Sequence, residues 1–217
     1  MKRKILTMAA LACAVALQGR PVLSAVIPTG VLEFTVLRDG DEIGKDVLSF
    51  RKGKDAGTLE VNVKTDIAVK MAFITVYRFT HRSREEWAHG RLVHIESTTD
   101  DDGTAHKMHA DLAADGLQVN GDQKHMVAPA GIVPASLWNH DIVTSRTLLN
   151  TLTGKQMKIA VKDLGPESVK VHGRPAQARH FVVSGELERE LWYDHNGSLV
   201  RARFKGSDGS EIVYALR

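Results

Sequence analysis

The sequence predicts an all-β protein: a mainly antiparallel curved sheet, half-barrel or barrel of roughly a dozen hairpin-linked strands with one short helix. Two observations carry this expectation. Apolar and polar residues alternate with period two along most of the chain, as Leu59, Val61 and Val63 do against Glu60, Asn62 and Lys64. Turn pairs that tolerate a positive φ, such as Asp39-Gly40, Asn196-Gly197 and Asp208-Gly209, recur between the alternating stretches.

The first segment is read as a targeting signal rather than as part of the fold. Lys2, Arg3 and Lys4 precede an uncharged, mostly apolar run from Ile5 to Leu17, and Val22-Leu23-Ser24-Ala25 supplies a small-residue cleavage site. The run is too short for a spanning helix, which needs roughly 20 residues. A lipid anchor on Cys13 is disfavoured, because Ala10 stands where a Leu-like residue is expected and the apolar run continues past the cysteine. The expectation is a signal peptide over 1–25 and a single β-rich domain over 26–217, released to the periplasm or beyond.

Cleavage changes the charge. The whole chain carries Lys+Arg 29 against Asp+Glu 26. Removing Lys2, Arg3, Lys4 and Arg20 leaves 25 of those 29 basic residues against 26 acidic ones, a net of −1. No basic excess remains to hold nucleic-acid phosphates. The only cysteine leaves too, so thiol chemistry is excluded and the core alone must hold the fold.

The strands follow in order. Leu32, Phe34 and Val36 alternate into the turn at Asp39-Gly40, and Ile43 to Phe50 returns. After the strand at Leu59–Val63, the residues Val69, Met71, Phe73, Thr75, Tyr77 and Phe79 read as one face of a single long strand. Leu92–Thr99, Ala105–Ala113 and Leu117–Asn120 follow, with turns at 100–103 and 114–116. Met157, Ile159 and Val161 alternate with lysines, Leu199–Lys205 lies between two turn pairs, and Glu211–Leu216 ends the chain. Between Ala128 and Leu152 the alternation stops. Pro129, Gly131 and Pro134 mark a loop, and Ala135–Asn150 holds the helix expectation, capped by Ser136 and anchored by Trp138.

Candidate chemistry is sparse. Ten histidines raise the question of a metal, but His106 and His109 are three apart on a strand and so point to opposite faces. Ser136, His140 and Asp141 lie in one stretch without nucleophile-elbow glycines, and no catalytic, cofactor or metal residues are assigned. Glu186, Glu188 and Glu190 with Arg179, Arg201, Arg203 and Lys205 read as cross-strand ion pairs.

Three patches, Ile132–Asn139, Leu149–Lys155 and Leu191–Val200, together with Glu86-Trp87 and Gly90-Arg91-Leu92, resemble the exported bacterial family of unknown function catalogued as DUF6134. The resemblance implies an exported β protein and brings no activity or site residues with it. Two function classes follow. In the first, the sheet is a binding module whose concave face holds a hydrophobic small molecule or lipid, such as an acyl chain. Val69, Met71, Phe73, Tyr77, Trp138 and Trp192 would line the site, which requires a cavity of roughly 300 Å³ or more. In the second, the protein meets an envelope protein partner through an exposed apolar patch or an open sheet edge.

Overall fold

The computed structural model describes residues 30–122 and 125–217, so the signal segment expected over 1–25 lies outside the described residues. One sheet of 15 strands contains every strand of the described residues. The chain enters at its centre with β1 (Gly30–Arg38) and builds one wing outward: β2 (Asp41–Lys52), β3 (Thr58–Met71), β4 (Ile74–Ala88), β5 (Arg91–Asp101), β6 (Thr104–Ala113), β7 (Gly116–Asn120) and β8 (Met126–Ala128). It then crosses to the far edge and builds the second wing inward: β9 (Val133–Pro134), β10 (Thr147–Leu149), β11 (Gln156–Val171), β12 (Arg174–Gly185), β13 (Arg189–Tyr193), β14 (Leu199–Lys205) and β15 (Glu211–Leu216). The last strand returns to pair with the first, with Thr35 opposite Ala215. Pairing is antiparallel except between β9 and β10. The edges β8 and β9 do not pair with each other, so the curved sheet stays unclosed.

Local sequence explains the hairpins. Asp39-Gly40, His89-Gly90, Asp102-Gly103 and His172-Gly173 all place two successive residues at positive φ, the backbone that matches a two-residue turn to the twist of its strands. Where the wings approach, Gly121 lies so close to the other wing that a Cβ would sit 2.2 Å from the Thr153 carbonyl oxygen. Only glycine fits that contact.

Two sequence expectations are corrected. The single long strand expected to carry Val69 through Phe79 is a hairpin that turns at Ala72-Phe73, with Met71 opposite Ile74. The expected helix within Ala135–Asn150 shrinks to a five-residue 3-10 helix, His140–Thr144, and its cap is Asn139 rather than Ser136, with Asn139 Oδ1 accepting from the Asp141 N–H. Asn139 and Ser145 are extended, and β10 begins at Thr147, which leaves no length for an α-helix.

The segment from Ile132 to Leu149 lies on the concave face and packs both wings together. Trp138 meets Phe50 of β2 and Trp87 of β4 edge to face, at ring separations of 5.4 Å and 5.3 Å. From the other wing, Tyr193 of β13 donates its hydroxyl to the Leu137 carbonyl at 2.7 Å. Ile142, Leu148 and Leu149 are fully buried in the same core. A smaller core lies on the opposite face, where β11 and β12 bring Val169 and Ala178 onto Trp192 and Val200. A register shift between Asp163 and Gly165 interrupts this long hairpin.

Candidate functional site

Antiparallel registry sets the inward-facing residues of β2–β6 in transverse rows. The row Phe50, Val61, Glu85, Ile95, Ala110 runs deep in the core. Above it comes Leu48, Val63, Ser83, Ser97, Met108, and above that Asp46, Thr65, His81, Thr99, His106. The inserted segment fills the deep rows. Above the Asp46 row the concave face holds a cavity of about 740 Å³. Its walls are largely apolar, with Ile43, Ile67, Val69, Phe79, Leu187 and Ile212 among them. That volume is in the range of small-molecule sites, which bury most of a ligand against apolar walls.

The floor is polar. Thr65 donates its hydroxyl to Asp46 Oδ1 at 2.6 Å, and His81 Nδ1 lies 2.7 Å from Thr99 Oγ1. Burial pushes the Asp46 carboxyl up to about 6, against the pull of the Thr65 hydroxyl. Burial, with Arg82 next in line, pulls the His81 imidazole down to about 4 and keeps it neutral. At the mouth Arg38 is paired with Asp208 at 2.6 Å. Tyr77 donates to Asp101 Oδ1 at 2.7 Å, and burial followed by that carboxylate raises the phenol. On the β13 wall Arg189 lies with its guanidinium carbon 3.7 Å from the centre of the Phe204 ring.

One buried acid stands below the cavity. Glu85 Oε2 accepts from the indole N–H of Trp87 at 2.9 Å and of Trp138 at 3.0 Å. Burial raises this carboxyl, and Ser136 stands beside it. Glu85 Oε1 and Ser136 Oγ have no hydrogen-bond partner among the described residues. Ser136 is distant in role from the other two members of its stretch: His140 packs its ring on Tyr193 at 4.9 Å, and Asp141 is an exposed residue of the 3-10 helix.

The six residues expected to line a site separate into three groups. Val69, Met71 and Tyr77 line the cavity. Phe73 does not, because the hairpin turn leaves its side chain fully in solvent. Trp138 and Trp192 are buried core residues instead. Trp138 is the anchor of the inserted segment. Trp192 lies on the outer face, stacked on His180 at 4.1 Å, with its N–H donating to Glu167 Oε2 at 3.0 Å. Met71, Phe73, Ile74 and Val76 form an exposed apolar tip beside the cavity mouth. The expected carboxylate–arginine pairing holds for Glu190 with Arg203 at 2.7 Å, whereas Glu186 pairs with Lys155 and Arg179 with Asp163. His94 pairs with Asp111 and His106 with Asp122.

The domain of unknown function DUF6134 matches residues 34–217. The chain belongs to this family. That match spans both wings and the inserted segment, so in this DUF6134 protein the cavity is built wholly from family-matched residues. No curated protein matches the chain. A solved structure titled a β-barrel-like protein of domain of unknown function DUF1849, from Brucella abortus, is similar in fold at a TM-score of 0.57 and 11% identity. The similarity covers 86% of this chain and 94% of that one. Among the described residues of the DUF6134 chain, no helix is long and apolar enough to cross a membrane.

Proposed function

We propose that this protein is a non-catalytic binding protein for a hydrophobic ligand such as an acyl chain or lipid, working in the periplasm or outside the cell after loss of its first 25 or so residues. The observation that carries this reading is the cavity of about 740 Å³, with apolar walls above a polar floor, left open beside the β3–β4 tip. The purified protein should bind the neutral apolar dye Nile red at one site. Val69→Trp, which places an indole in the cavity, should remove that binding while the fold persists. A protein that leaves Nile red in solution, or a Val69→Trp variant that binds it as well as the wild type, contradicts the reading.

A second reading is favoured by the exposed tip. Met71, Phe73, Ile74 and Val76 make a contiguous apolar patch of the kind that marks an interaction site. On this reading the protein acts through its surface on an envelope partner. Replacing Phe73 and Ile74 with serine would then abolish partner crosslinking and leave dye binding unchanged.

A further inference from the structure

Two cations of the cavity wall, the half-buried Arg189 and the exposed Lys205, form no ion pair with a carboxylate among the described residues, and Arg189 is the one set deeper. It occupies the inward parity of β13, in series with Leu191 and Tyr193, both fully buried. Among the described residues its one side-chain hydrogen bond runs from Nη1 to the Glu188 carbonyl at 2.7 Å. An arginine carries five N–H donors and cannot shed its proton to avoid desolvation. Among the described residues no carboxylate forms an ion pair with its guanidinium. By contrast Arg38, the other arginine lining the cavity, is paired with Asp208. The two other acids on the wall are engaged elsewhere, Asp46 with Thr65 and Asp101 with Tyr77. The guanidinium packs on Phe204, the residue beside it on β14, which fixes its plane against one wall. The unbonded nitrogens are not among the buried orphan atoms, and Arg189 is one of the residues that line the cavity.

An apolar-walled cavity with one fixed, unpaired guanidinium is complementary to an amphiphile with a hydrocarbon chain and an anionic head. We infer that the ligand is a single-chain anionic amphiphile whose carboxylate or phosphate head pairs with Arg189 while its chain lies along Ile67, Val69 and Phe79. This inference rests on the cavity-binding reading above and adds the sign and place of the head group. Both head groups offer the two oxygens that a guanidinium fork accepts side by side.

The test is displacement of Nile red from the purified protein at pH 7.5 by hexadecanoate, hexadecyl phosphate and hexadecanol. At least one of the two anions should displace the dye about tenfold or more tightly than the neutral alcohol, the factor expected of a charge-assisted hydrogen-bonded pair. Which anion wins separates a fatty acid from a phosphate monoester. Arg189→Met, which still covers Phe204, should bring the anions down to the alcohol's affinity, and Arg189→Lys should keep most of the preference. Equal displacement by acids and alcohol in the wild type overturns the inference while leaving the cavity reading intact, and this comparison needs no variant. Displacement by none of the three, with no dye bound at the outset, removes both.

Discussion

The deep and the upper halves of the concave face are built by the same strands with the same alternation, yet one is filled and the other is open. In the deep half, Trp138, Ile142 and Leu149 enter from the inserted segment and complete a close-packed core with Phe50, Val61 and Ile95. In the upper half the strands continue, and Val36, Ile67 and Ile212 pack a small cluster with Phe79 and Phe204, but the cavity beside Ile67, Phe79 and Ile212 stays empty. Alternation therefore shows which residues face inward. It does not show whether a core or a site results, because that depends on what the chain places opposite them.

The sharpest way to break this comparison is to empty the filled half. Trp138→Ala should cost about 3–5 kcal/mol in a urea or guanidinium titration, since it leaves a large cavity and strips one indole donor from Glu85. A loss under about 1 kcal/mol would mean that the inserted segment does not hold the core together.

The polar floor between the halves should be visible in the pH dependence. The carboxyl of Asp46 titrates near 6 when folded, above its ordinary value of 3.8, so its contribution to stability is greatest below 3.8 and is lost as pH rises through 6. The imidazole of His81 titrates near 4 when folded, below its ordinary 6.5, so its contribution is present above 6.5 and is lost as pH falls through 4. The two slopes oppose each other, and wild-type stability should be nearly flat across that window. Asp46→Asn removes one slope. Unfolding free energy should then fall by about 3 kcal/mol between pH 7 and pH 4, because each tenfold difference in proton affinity between the folded and unfolded chain is worth about 1.36 kcal/mol. A variant as flat as the wild type would show that the two groups are not set against each other.

Smaller effects belong to the open half. Val69→Trp should change stability by no more than about 1 kcal/mol, because an empty volume receives the ring, while Nile red affinity drops by about tenfold or more. Thermal melts and dye titration read the two quantities separately. The smallest effect is at the tip: Phe73→Ser, at a side chain that touches nothing, should stay within about 0.5 kcal/mol of wild type in a denaturant titration.

Much of the fold was legible because turns and alternation agree. Leu199–Lys205 and Glu211–Leu216 are strands with the limits that their flanking turn pairs suggest. The β3–β4 hairpin was hidden for a definite reason. A two-residue turn at Ala72-Phe73 shifts the inward parity by one, and the register shift between Val69 and Lys70 shifts it back. Odd-numbered residues thus face inward on both sides of the turn, and the sequence reads as one strand. No glycine or proline marks the turn, and Ala72 itself takes a φ of 52°.

The site was less legible than the fold. Trp192 lies in an unbroken apolar run with Leu191 and Tyr193, so alternation could not assign its face. The structure puts it outside, beneath the β11–β12 hairpin. Asp46, His81 and Arg189 left a usable signal, since each is a polar residue at an inward parity: Asp46 with Leu48 and Phe50, His81 with Trp87, and Arg189 with Leu191 and Tyr193. A polar residue in an apolar series is more informative than another apolar one, because its burial requires a partner.

The central claim is that the upper half of the concave face is a ligand site rather than unfilled core. Native mass spectrometry of the protein purified without added lipid, followed by solvent extraction, tests it most directly. The account predicts a stoichiometric apolar adduct that Val69→Trp loses. A bare protein mass, together with no uptake of Nile red at saturating dye, would contradict it.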